Sequence, residues 1–166
     1  MITIMKNQKD SRSAFLRAST NLMVSDAVAA IILIEDGRYL LQLRDENESI
    51  WYPDHWGCFG GGVGPGEEPL DALHRELWEE LAFECPEVTF FSELSFDLTG
   101  LHLGKYYRRY YVVHMSLNDM GKLRLGEGAA VQAFDSDTML ETLKVSPYDS
   151  FALFLHSRGK RILSGM

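Results

Sequence analysis

Cysteine is scarce in this chain. Only Cys58 and Cys85 carry thiols, with no C-x-x-C spacing between them, which excludes a disulfide framework and suits a reducing cytoplasm. Long apolar runs are missing too. Nothing approaches membrane-spanning length, and the opening stretch MITIMKNQKD lacks the apolar core of a secretory signal. Positive charge is also short: 16 Lys and Arg against 24 Asp and Glu give a formal net charge of -8 and a pI of about 5.1. A nucleic-acid polymer is therefore a poor partner for the surface as a whole. A small anionic ligand stays open, because a site can carry its own cations. The five histidines form no H-E-x-x-H, and no G-x-S-x-G nucleophile elbow occurs, so His74 and His114 read as structural or solvated. What is plentiful is ordinary. A hydrophobic share of 46% and a charged share of 24% argue against disorder and for one domain with a sizeable core.

Read along the chain, residues 1–23 form an extension in which Lys6, Lys9, Arg12 and Arg17 stand among small polar residues; a short helix is predicted over 13–20. AVAAIILIEDGRYLLQLRD reads as a hairpin turned at Asp36-Gly37, its first strand apolar enough to be buried on both faces. NESIWYPDHWGCFGGG is an aromatic loop held by Pro53 that leads into a short strand over 56–59. Strands are predicted over 87–98 and 105–117, a short strand at VQAFD and a short helix over 136–143. Ser146-Pro147-Tyr148-Asp149 starts a last helix, with Ser as N-cap, Pro in the first turn and an acid three residues on; its apolar side is expected to bury Phe151, Phe154 and Leu155. No repeat or linker appears. The order is a mixed sheet with helices, α/β or α+β, over 24–160, followed by a tail at 161–166.

GGGVGPGEEPLDALHRELWEELAF, residues 60–83, holds the densest charge. On a helix, Leu70, Leu73, Leu77 and Leu81 fall within a stripe roughly 80° wide, which predicts a core-facing seam. Glu76, Glu79 and Glu80 fall on the adjacent stripe. Like charges at that spacing cost an isolated helix about 0.2–0.5 kcal/mol per pair, and Glu79 and Glu80 lie toward the end that the helix dipole makes unfavourable for acids. Arg75 neutralises one carboxylate and leaves several. Three glutamates alone are consistent with a solvated acidic face. The glycines ahead of them, Gly60, Gly61, Gly62, Gly64 and Gly66, let backbone approach a ligand closely. Yet Glu67 stands where a Walker loop would have Lys. A phosphate-binding cation must then be imported, and hard carboxylate oxygens select Mg2+ or Mn2+.

These residues resemble the Nudix hydrolases, whose box is G-x5-E-x7-R-E-U-x-E-E-x-G-U with U a bulky aliphatic. Gly61, Glu67, Arg75, Glu76, Leu77, Glu79 and Glu80 stand at the box positions, while Ala82 replaces the late glycine and Phe83 the last aliphatic. The resemblance implies a mixed sheet between helices and Mg2+-dependent cleavage of the pyrophosphate linkage in a nucleoside diphosphate joined to another group. It implies Glu79 and Glu80 as metal ligands with the Gly60 carbonyl, and Glu67 as an auxiliary ligand. Glu76 would orient or deprotonate water, or add a metal contact, and Arg75 would orient a catalytic glutamate. RLGEGAAVQAF is similar to a loop from which some members recruit another glutamate, here Glu127.

Substrate signals are thinner. The window Leu98 to Leu101 lacks the proline or tyrosine associated in some subfamilies with ADP-ribose or diadenosine polyphosphates, and no NADH-type SQPWPFP string follows. A (d)NTP or a nucleotide sugar remains. Trp51, Tyr52, Trp56, Tyr106 and Tyr107 are candidates to stack a base, and Arg44, Arg108 and Arg109 to contact phosphate; Arg44, Trp56, Tyr107 and Arg109 form the expected substrate set. A non-catalytic nucleotide-sensing module and an isopentenyl-diphosphate-isomerase-like enzyme are the alternatives, and a homodimer stays open.

Overall fold

In the computed structural model, residues 25–47, 49–141 and 143–164 are described, with side chains through residue 159. The helix expected over 13–20 lies outside them. Strand β1, Ala27–Ile34, is buried almost throughout, as its unbroken apolar run requires. Its even-numbered residues Val28, Ala30, Ile32 and Ile34 join one core, and Ala29 and Ile31 join another on the opposite face. Along one edge β1 pairs in parallel with β5, Lys105–Met115, in register from Ala27↔Arg108 to Ile34↔Met115. β5 in turn pairs antiparallel with β4, Val88–Asp97, through a bulge at Phe90/Ser92. Ser116, at the expected end of β5, instead caps a helical turn, α2 (Leu117–Met120), its hydroxyl accepting from the Asp119 amide.

On its other edge β1 meets β2, Tyr39–Leu43, only at Ile32↔Leu40 and Leu33↔Tyr39. The two strands then part, and residues 56–62 fill the opening. Trp56–Gly57, strand β3, pairs with Leu43 and Gln42. Beyond it the Ala30 amide donates to the Phe59 carbonyl at 2.8 Å and the Val28 amide to the Gly61 carbonyl at 2.9 Å. Strand β6, Ala130–Phe134, covers the far edge of β2. The sheet is therefore mixed, and a glycine tongue runs within it.

Helix α1, Pro69–Leu81, packs on the even face of β1 through Ala72, Leu73, Leu77 and Leu81. Leu70, expected in the seam, is exposed; it sits in the first turn, before the helix meets the sheet. The helix exit is left-handed at Ala82, whose φ is 51°, with the Ala82 amide donating to Trp78 and that of Phe83 to Leu77. The bond from the left-handed Ala82 to the carbonyl four residues back is the αL closure that a glycine normally makes. A left-handed residue with a Cβ costs roughly 1–2 kcal/mol, more than the about 0.5–1 kcal/mol of extra chain entropy that glycine loses. Ala82→Gly should therefore stabilise the domain slightly and raise Tm by a few degrees in thermal unfolding.

On the opposite face lie α3, Ser136–Glu141, and α4, Pro147–Ser164, which continues past residue 160. Here the apolar reading is corrected: Phe151 and Phe154 are exposed and Leu155 is half-buried, whereas Ala152 and Leu153 are buried. The helix is turned by Asp149, which is completely buried and brings positions three, four and seven residues on toward the sheet. At the last of these, His156 Nδ1 lies 3.0 Å from the Tyr39 hydroxyl. Among the described residues no helix is long and apolar enough to cross a membrane.

Candidate functional site

The tongue separates two polar places. On the α1 side, Glu80 is only 5% exposed. Its Oε2 accepts the Gly60 amide at 2.8 Å and its Oε1 the Gln42 side-chain amide at 2.9 Å. Burial, with the nearby charges of Glu76 and Glu127, pushes its carboxyl up to about 7 against the donors that oppose the shift. Glu76 is raised as well, chiefly by burial, with Arg75 opposing. Its carboxylate lies against the tongue, and a Cβ on Gly61 would come within 2.5 Å of it. That contact is why the first box position admits no side chain.

Arg75 gathers the rest. Its Nε and Nη2 donate to the two oxygens of Glu67 at 2.9 and 3.0 Å, Nη1 to Glu76 at 2.7 Å and to Glu79 at 3.2 Å, and Nη2 to the Gly62 carbonyl at 3.0 Å. Arg75 and the Gly64 amide together hold the Glu67 carboxyl down at about 2. Glu127 arrives by a separate route. The Gly126 amide donates to the Glu80 carbonyl at 2.8 Å and the Arg124 amide to that of Leu81 at 3.0 Å, which hooks this loop onto the end of α1. A Cβ at Gly126 would collide with the Glu79 carbonyl. The structure thus brings Gly60, Glu67, Arg75, Glu76, Glu79, Glu80 and Glu127 into one neighbourhood. Among the described residues no three His, Cys, Asp or Glu side chains are arranged to grip a metal as they stand: one guanidinium spans Glu67, Glu76 and Glu79. The donors are all hard oxygens, and Glu80 is met by neutral amides in place of a cation. Such a set fits a divalent cation such as Mg2+ or Mn2+.

On the α4 side a cavity of 160 Å³ is lined by Gly60, Gly61 and Gly62 of the tongue together with Arg44, Trp51, Tyr106, Arg108 and Tyr148. Of the substrate residues expected from sequence, Arg44 is here, with its Nε on the Trp51 carbonyl at 2.9 Å. The other three lie elsewhere. Trp56 packs edge-on against Phe134 at 4.7 Å. Tyr107 and Arg109 alternate with Tyr106 and Arg108 along β5 and so point to the opposite face, where Arg109 pairs with Glu93 at 2.8 Å.

Behind the cavity lies a network that sequence reading missed. Asp149 Oδ2 accepts the Ser146 hydroxyl at 2.8 Å and the Cys58 amide at 3.1 Å; Oδ1 accepts the Tyr110 hydroxyl at 3.1 Å and Arg108 Nε at 3.2 Å. Burial works to lower the Arg108 pKa, but the Asp149 carboxylate together with Tyr110, Tyr148 and Cys58 outweighs it, and the guanidinium is held charged. The Arg108 guanidinium carbon stands 4.8 Å from the Tyr148 ring centre and 5.7 Å from that of Tyr110. Its Nη2 is buried with no acceptor, which costs roughly 1–3 kcal/mol if it stays unmet. Gln42 was missed as well, though a single amide in the apolar strand YLLQL was a signal that could have found it.

The sequence model of the NUDIX domain matches residues 23–154. Over 50 residues the chain is 44% identical to the nucleoside triphosphatase NudI of Escherichia fergusonii, a stretch covering 30% of this chain and 35% of that protein. The chain thus spans about a third of the length of the curated relatives it matches. Among solved structures, the MutT protein from Methanosarcina mazei Go1 superposes with a TM-score of 0.69 at 22% identity over 84% of this chain and 97% of its own. The E. coli ORF135 protein gives 0.64 at 26% identity over 86% and 96%.

Proposed function

Because the chain belongs to the NUDIX domain family, we propose that it is a divalent-cation-dependent hydrolase cleaving the pyrophosphate linkage of a nucleoside diphosphate joined to another group, either a (d)NTP or a nucleotide sugar. The observation that carries this reading is Glu80, a buried carboxylate fixed by the Gly60 amide and Gln42 beside a second half-buried acid, Glu76. An acid held out of water without a full counter-charge is costly unless a cation completes it.

In this reading Glu79, Glu80 and the Gly60 carbonyl hold the cation, with Glu67 and Glu76 able to add oxygens. When bound, Mg2+ or Mn2+ would neutralise oxygens of the linked phosphates and favour in-line substitution at phosphorus. Glu76 is the candidate to orient water and take its proton, with Glu127 the further acid on the neighbouring loop. Arg75 holds Glu67, Glu76 and Glu79 in place until the site is filled. The fully buried Cys58 faces the other core, and burial pushes its thiol well up, so a cysteine-based isomerase chemistry is not favoured. The related names that the comparisons give, a nucleoside triphosphatase and MutT, support a nucleotide as substrate.

Phosphate and pyrophosphate release from a panel of (d)NTPs and nucleotide sugars, with and without Mg2+, tests the proposal. Metal-dependent release from some member supports it, and binding without release points to a sensing module. Gln42 supplies a second measurement. Gln42→Leu leaves Glu80 Oε1 without its donor, and losing a partner of this kind typically weakens metal affinity by about 10- to 100-fold. Mn2+ titration should register that loss while the fold persists.

A further inference from the structure

The exit of α1 forms one wall of a groove. Its volume is 550 Å³, and Trp78, Phe83, Pro86 and Leu123 line it together with Glu84 and Lys122. A helix turns about 100° per residue, so Trp78 stands on the flank of α1 away from Glu76 and Glu80; it is 55% exposed. Pro86 leads into β4, the outermost strand of the sheet. Four residues on, Phe90 is 57% exposed. It lies on the same side of the sheet as α1, because it meets Tyr111 edge-on at 5.7 Å and Tyr111 belongs to the layer under that helix. One face thus carries a large apolar knob and, beside it, an apolar hole bordered by a tryptophan. Exposed aromatics grouped in this way mark an interaction surface.

We propose that this face pairs two copies of the chain about a twofold axis, Phe90 of each copy entering the groove of the other beside Trp78. A knob and its hole on one face are what such a contact requires, since every contact is then made twice. The groove is also large enough. Its 550 Å³ exceeds the volume of about 150 Å³ that encloses one benzene ring, so a phenyl ring enters without displacing Trp78. The charges agree. Each copy carries a net charge of -8, which opposes association except where opposite charges meet. Lys122 is already paired with Asp119 at 3.1 Å, whereas Glu84 on the groove has no cationic partner among the described residues. Arg109, two residues from Tyr111 on the same face, pairs with Glu93 through Nε at 2.8 Å. A guanidinium has further donors, and in the pair these meet Glu84 of the other copy. The contact stands apart from the acids, so it neither needs nor excludes turnover.

Sedimentation equilibrium of the full-length protein, without metal or nucleotide, reads the mass directly over about 1 to 100 µM. A single chain is 18.8 kDa, and wild type should approach twice that mass within this range. Phe90→Asp and Trp78→Glu, both at exposed positions, should each raise the dimer dissociation constant at least about tenfold while circular dichroism stays the same. Phe154→Asp, at an exposed aromatic on α4, should leave the constant unchanged. Wild type that remains monomeric at about 100 µM overturns the proposal whether or not the variants fold. So does an assembly larger than two, a dimer that Phe90→Asp or Trp78→Glu leaves intact, or one that Phe154→Asp dissolves.

Discussion

Glu80→Gln is expected to fold and to lose turnover on the order of 10²-fold or more at saturating Mg2+. The size follows from what a metal-ligand carboxylate supplies: charge stabilisation of several kcal/mol in the transition state, at a factor of ten for each roughly 1.4 kcal/mol. The fold survives because the replacement keeps the shape and removes a buried negative charge. The facing Gln42 amide can reverse to offer its oxygen, giving up only a 3.4 Å contact to the Cys58 carbonyl. Circular dichroism and thermal unfolding report the fold, and product release reports the chemistry. A variant as active as the wild type would remove the cation cage from consideration.

Asp149→Ala should have the largest effect on stability. It leaves the Arg108 guanidinium buried without its counter-charge and strips the acceptor from Ser146, the Cys58 amide and Tyr110. Breaking a buried pair by removing one partner costs about 3–5 kcal/mol. For a domain of this size that corresponds to a fall in Tm of roughly 10 °C. Adding Arg108→Met should restore part of the loss, because it removes the stranded charge. The contrast is Asp36–Arg38, closer at 2.7 Å yet well exposed; water and salt screen such pairs, so Asp36→Ala should barely register in the same melt. Distance alone does not rank the two pairs. Burial does.

The hairpin, the long strands and α1 were legible because each rests on local patterning: an apolar run closed by Asp36-Gly37, the tyrosines and valines of β5, and leucines spaced for one helix face. The carboxylates of α1 were legible because their spacing opposes helix stability and so asks for a reason. The cavity was not. Tyr106 and Arg108 were indistinguishable from Tyr107 and Arg109 until the phase of β5 was fixed, and that phase is set by the parallel pairing with β1, about eighty residues earlier in the chain. Phe151 and Phe154 were expected inside because aromatics usually are. A single buried carboxylate, Asp149, overrode them, since leaving it in water would have stranded Arg108. Leu70 failed for a simpler reason: the apolar pattern does not say where a helix first touches its neighbour.

The alternation of β5 has a consequence for how this scaffold diversifies. Positions 111, 113 and 115 anchor the layer under α1, whereas 106 and 108 face the cavity across the strand. Tyr106 can therefore change the cavity wall while 108 and 110 go on holding Asp149 and the odd positions go on supporting the helix that carries the acids. One strand thus serves two layers whose neighbours differ, and a change on one face leaves the packing of the other in place.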